Sequence, residues 1–214
     1  MVDALHIGVL ALQGAFREHR RMLERCGARV TEIRRPLGDS DCAGLESLDG
    51  LVLPGGESTT MGRLLTDWNL LEPIRTCGLR GMPIYGSCAG LILLCREVEG
   101  PDGTLLEQPR LGLLDARVRR NAFGRQTDSF ETGLSIRGVA GDVEAVFIRA
   151  PLIVSCGPDV EVLSRVDTSS GTYPVAVRQG NIVATSFHPE LTKDSRFHEF
   201  FLNLCRIRRS FGKV

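Results

Sequence analysis

The stretch "MPIYGSCAGLILL", Met82 to Leu94, decides the fold. Met82–Tyr85 is a short apolar run of strand character, and the apolar residues that follow Ala89 have helical character. Between them lies Gly86-Ser87-Cys88-Ala89-Gly90, a glycine–x–nucleophile–x–glycine pattern. A sharp strand-to-helix turn of this kind is strained, tolerates only small neighbours, and lifts its central side chain clear of the sheet. A cysteine that merely filled a core would need none of these neighbours. Cys88 therefore reads as a nucleophile, with its thiolate favoured by the start of the following helix.

Outward from this elbow the chain alternates. "LHIGVLAL" (Leu5–Leu12) reads as a buried strand, "AFREHRRMLERCG" (Ala15–Gly27) as a helix closed by a C′ glycine, and "ARVTEIRR" as a second strand. "LDGLVLPGGEST" brings a third strand into a glycine turn, "TTMGRLLTDWNLLEPIRTCG" follows as one or two helices, and "GMPIYGSCAGLILLCREV" repeats strand, turn and helix. Such βαβ units imply a three-layer α/β fold, with a mostly parallel central sheet between helices. From Leu111 onward, "LGLLDARVRRN", "ETGLSIRG", "VEAVFIRAP", "VEVLSRV", "TYPVAVRQG" and "NIVATSF" are short β-rich runs, expected to extend the sheet with antiparallel strands. The final "KDSRFHEFFLNLCRIRR" places Phe197, Phe200, Phe201, Leu204 and Ile207 near one helical face. No repeat or linker divides residues 1–214, which read as a single domain.

Composition narrows the partners. Twenty-six basic residues balance twenty-six acidic ones, so charge gives no case for nucleic acid or an anionic membrane. Seven cysteines contain no C-x-x-C pair to seed a zinc or redox site, and an odd number of thiols suits a reducing cytoplasm. No segment has the length and apolarity of a membrane span, and the N-terminus lacks the pattern of a secretory signal.

A thiol nucleophile wants a base. His6 in the first strand, His19 among the charges of the first helix and His198 on the last helix read as structural or solvent-facing. His188 ends the apolar strand "NIVATSF", so its side chain projects near a sheet edge, where α/β sites form. Glu190 lies two residues on, on the same face of an extended chain, and can orient the imidazole; the plainer alternative is a solvated His and Glu in a turn. "PGGES" (Pro54–Ser58) ends another strand, and consecutive glycines let backbone N–H groups approach a ligand closely; a plain turn capped by Ser58 or Thr59 is the alternative.

Taken together, "GSCAG", "PGGE" and "HPE" resemble the triad-type (class I) glutamine amidotransferases, whose fold is flavodoxin-like. Within that superfamily, "GVLALQGAFREH", "LVLPGGESTTMGRLL", "RRNAFGRQTDSFE", "VFIRAP" and "SFHPELT" are similar to the glutaminase subunits of pyridoxal 5′-phosphate synthases. Ser87 stands where many members carry threonine. The resemblance implies Cys88, His188 and Glu190 as the catalytic triad, with Gly56, Glu57, Ser58, Arg120, Ile148 and Arg149 contacting glutamine. It also implies Gly55 and Gln13 near the oxyanion hole at a synthase interface. On residues alone Arg120 and Arg149 are ordinary surface arginines, although an arginine can bind a free amino acid's carboxylate by a bidentate pair.

The reaction so implied is hydrolysis of L-glutamine through a glutamyl thioester, with no metal or organic cofactor. Ammonia would pass to a TIM-barrel synthase subunit that builds pyridoxal phosphate. A different amidotransferase subunit, such as the glutaminase of imidazole glycerol phosphate synthesis, is opposed by "RRNAFGRQ" and "FIRAP". A non-catalytic protein or a hydrolase of another substrate on the same fold is the other alternative.

Overall fold

The computed structural model describes residues 4–120, 129–168 and 171–212. The first half contains β1 (His6–Leu10), α1 (Phe16–Arg25), β2 (Arg29–Ile33), β3 (Gly50–Leu53), α2 (Ser58–Asp67), α3 (Leu71–Leu79), β4 (Ile84–Ser87), α4 (Ala89–Leu94) and β5 (Cys95–Glu99). The second contains β6 (Leu114–Arg119), β7 (Phe130–Ser135), β8 (Asp142–Phe147), β9 (Leu152–Cys156), β10 (Glu161–Thr168), β11 (Gly171–Gln179), β12 (Ile182–Thr185) and α5 (Arg196–Ser210).

Side-chain alternation explains the layers. Leu51 and Leu53 of β3, Leu10 of β1 and Ile84 of β4 turn to one face of the sheet, where they pack with Met61, Leu65, Ile74 and Leu91 of α2, α3 and α4. Ile7, Val9, Val52 and Tyr85 turn to the other face and meet Leu23 of α1 and Phe197, Phe201 and Cys205 of α5. Every residue of β3, β4 and β12 is buried, as strands covered on both faces must be. The central sheet has seven strands in the order β10-β11-β12-β4-β3-β1-β2. β12, β4, β3, β1 and β2 run parallel, and β11 and β10 add antiparallel strands at the far edge.

The strands depart from the sequence expectation in three ways. "CREVE" is not the end of a helix, because α4 stops at Leu94 and Cys95 opens β5, which pairs with β6. "LIVSC" is a strand, β9, completing a separate three-stranded sheet, while β7 and β8 form a two-stranded ribbon. β12 does not append to the antiparallel end but lies parallel to β4, with Thr185 beside Ser87. On α5, Phe197, Phe201 and Leu204 are buried as expected, whereas Ile207 is 55% exposed, and His198 takes a place in the core.

Candidate active site

Parallel strands aim their C-terminal ends at a common rim, and the chain leaves β1 at Gln13, β3 at Gly55-Gly56, β4 at Cys88 and β12 at His188 along that rim. Cys88 takes the left-handed φ of +48° that the elbow pattern anticipates. The flanking glycines are obligatory: a Cβ on Gly86 would meet the Gly90 carbonyl group, and one on Gly90 would overlap the Leu53 carbonyl of the neighbouring strand. The Cys88 N–H donates to the Thr185 carbonyl at 2.8 Å, tying the elbow to β12 and hence to His188.

His188 Nδ1–H donates to Glu190 Oε1 at 2.8 Å, and both residues are buried. Burial opposes a charged imidazole, but hydrogen bonding to Cys88 and Glu190 outweighs it and raises the His188 pKa to about 10. For Glu190 burial acts upward, yet His19 and His188 outweigh it and hold the carboxyl well below the usual range. The His188 N–H donates to the Val146 carbonyl at 2.8 Å, which anchors the "FIRAP" loop beside the imidazole.

The glycine turn is held from two sides. The Ala15 N–H donates to the Gly55 carbonyl at 2.9 Å, and the Glu57 N–H donates to Gln13 Oε1 at 2.8 Å. Gly14 has φ +93° and sits against the Gly55 carbonyl, so only glycine fits there. The Glu57 carboxylate caps α2, accepting from the N–H groups of Thr59 (3.0 Å) and Thr60 (2.7 Å). Arg120 Nη2 donates to its Oε1 at 2.8 Å. Burial pushes this carboxyl up, but the Thr60 and Thr59 donors outweigh it and bring the pKa to about 2.

Gln13, Gly55, Gly56, Glu57, Ser58, Cys88, Arg120, Ile148, Arg149 and His188 together line one open cleft of about 490 Å³, with Glu190 buried behind His188. Every site residue read from the sequence thus converges there. Arg120 is engaged with Glu57, Thr59 and Gln108, while Ile148 and Arg149 are exposed on the rim, Arg149 at φ +47°. Of the "RRNAFGRQTDSFE" block, residues 121–128 lie outside the described residues. No group of His, Cys, Asp and Glu suited to a metal ion occurs among the described residues. Among them too, no helix is long and apolar enough to cross a membrane.

The model of the SNO glutamine amidotransferase family matches residues 9–207. The chain belongs to that family. It is 56% identical over 201 residues to the pyridoxal 5′-phosphate synthase subunit PdxT of Frankia alni, covering 94% of each chain. It is 52% identical over 204 residues to the same subunit of Rhodococcus opacus, covering 94% of this chain and 96% of that one. A crystal structure of a glutamine amidotransferase superposes with TM-score 0.82 at 46% identity, over 94% of this chain and 98% of that one. PurLQS from Thermotoga maritima shares the fold alone, with TM-score 0.65 at 17% identity over 94% and 99% of the two chains.

This amidotransferase also places near the cleft residues that the sequence reading passed over. Gln108 bridges Ser58 and Arg120, donating to Ser58 Oγ at 3.5 Å and accepting from Arg120 Nη1 at 3.2 Å. His19 and His198, expected to be structural or solvent-facing, are fully buried behind Glu190. The signal existed in spacing: His19, Met22 and Leu23 share one face of α1, as do His198, Phe201, Leu202 and Cys205 of α5.

Proposed function

We propose that Cys88, His188 and Glu190 form the triad by which the chain hydrolyses L-glutamine to L-glutamate and ammonia. The ammonia is handed to a TIM-barrel synthase subunit that makes pyridoxal 5′-phosphate. The observation that carries this reading is the elbow itself: Cys88 at φ +48° stands at the strand end beside an imidazole that donates to a buried carboxylate at 2.8 Å. The Cys88 sulfur attacks the side-chain amide carbon, and backbone N–H groups near Gly56 and after Cys88 stabilise the oxyanion. Protonated His188 donates to the leaving nitrogen, so ammonia departs and a glutamyl thioester remains. His188 then activates water, and glutamate leaves. Glu190 keeps the imidazole in the Nδ1–H form throughout.

Arg120 and Arg149 face the cleft as cations for the substrate carboxylate, while Glu57, Ser58 and Ile148 shape its walls. Neither a metal nor an organic cofactor enters these steps, and the neutral overall charge fits a cytoplasmic chain whose partners are glutamine and a protein. The test is Cys88→Ala in the presence of the synthase subunit. Ammonia release from glutamine should vanish, while added ammonium salt still supports product formation on the other chain. Near-normal glutaminase activity in the variant would refute the nucleophile assignment.

A further inference from the structure

The Glu190 side chain is wholly buried, as is that of His19, whose Nε2 lies 3.4 Å from Glu190 Oε2. A buried carboxylate must find donors or it will not stay ionised. On Oε1 it accepts from His188 Nδ1 at 2.8 Å and from Ser87 Oγ at 3.4 Å. Ser87 Oγ is 2.9 Å from His19 Nε2, and His19 Nδ1 is 3.0 Å from His198 Nε2. His198 Nδ1 is buried without a hydrogen-bond partner among the described residues.

The carboxylate sets the direction of the nearer links. It can only accept, so the Ser87 hydroxyl donates to Glu190 Oε1 and Ser87 Oγ accepts in turn from His19 Nε2–H. His19 Nδ1 and His198 Nε2, 3.0 Å apart, share one proton between them and extend the path to α5. Ring contacts pin His19 in place, edge-on to Tyr85 with centroids 5.7 Å apart and tilted on His198 at 5.2 Å.

We propose that His19 is a positioning residue for glutamine hydrolysis, fixing the Glu190 carboxylate through Ser87 and so the tautomer and orientation of the His188 imidazole. This deepens the triad reading above and rests on it. Ser87 gains a role beyond being small enough for the elbow, since its hydroxyl is the last link before the carboxylate. His19 touches no substrate, so its removal acts on turnover rather than on glutamine binding.

The test compares His19→Leu, His19→Gln and Ser87→Ala, assayed for glutaminase activity with the synthase subunit present, alongside Cys88→Ala and thermal unfolding of each variant. His19→Leu should lower kcat about 10- to 100-fold, as loss of a supporting partner behind a working histidine does. KM for glutamine should stay within about twofold. His19→Gln, which can still donate an N–H, should recover most of the loss. Ser87→Ala should lower kcat with KM unchanged, which decides the matter even if His19→Leu does not fold. Equal kcat in the Leu and Gln variants, parallel changes in kcat and KM, or wild-type kcat in Ser87→Ala would overturn the positioning role. If Cys88→Ala itself stayed active, the triad would fail instead, so the two failures are distinguishable.

Discussion

Gly55 shows how tightly single residues are specified here, because a Cβ at that position would collide with the His188 ring. Gly55→Ala should therefore leave a folded chain whose imidazole is displaced. Displacement of a reacting group by about 1 Å can cost on the order of 100-fold in rate. Turnover with the synthase subunit and thermal unfolding, measured together, check this; wild-type kcat would mean that the ring does not need its present seat. His198 makes a second residue-scale prediction. Its pKa of about 3 lies below the unfolded value of about 6.5, so the unfolded chain binds the extra proton between those values. Stability then rises with pH across that window and is lost on acidification, with Glu190 adding to the loss once pH falls below its ordinary range. His198→Leu should flatten the fall in Tm between about pH 7 and pH 4. An unchanged slope in a pH series of unfolding scans would contradict this.

At the scale of elements, the turns after β1 and β3 act as one unit. Gln13 accepts from the Glu57 N–H, and the Gly55 carbonyl accepts from the Ala15 N–H, so the glycine turn takes its shape partly from the β1–α1 segment. A glycine-rich turn can hold more than one backbone arrangement at small cost, and one missing oxyanion donor costs on the order of 100-fold or more. The isolated chain should accordingly be a poor glutaminase that the synthase subunit activates through this segment. Gln13→Ala should weaken the stimulation more than it weakens glutamine binding. A glutaminase titration with and without saturating synthase checks both statements, and full activity in the isolated wild-type chain would reject the gating. Element boundaries were also where sequence reading faltered. "LILLCREV" is apolar enough for either helix or strand, and only pairing with β6 decides that Cys95–Glu99 extends. "LIVSC", hidden between Pro151 and Gly157, becomes a strand because β6 offers it an edge.

Across the whole molecule, the site assembles because parallel strands deliver Gln13, Gly55, Cys88 and His188 to one rim, although the chain separates them widely. The sequence made each local piece readable: the elbow through its small residues, the glycine turn through its composition, and His188 with Glu190 through their two-residue spacing, although Pro189–Leu191 is a 3-10 turn and not the extended chain expected, so the pair meets across that turn. It could not show that β12 lies parallel to β4, the non-local pairing that brings His188 to Cys88. The inward histidines of α1 and α5 were legible only in helical spacing, since "FREHRRMLER" presents charge to a linear reading and apolar contact only on its inner face.

The most direct measurement follows from the elbow. A glutamine-mimicking electrophile, reacted with the chain in complex with the synthase subunit and mapped by peptide mass spectrometry, reports which of the seven cysteines is the nucleophile. All seven are free, and burial raises the thiol pKa of Cys77, Cys95 and Cys205, so they are poor competitors. Dominant labelling at Cys88, suppressed by glutamine and reduced in His188→Asn, is the expected result. Dominant labelling at Cys95 or Cys77, or labelling of Cys88 that glutamine does not suppress, would contradict a triad built on Cys88.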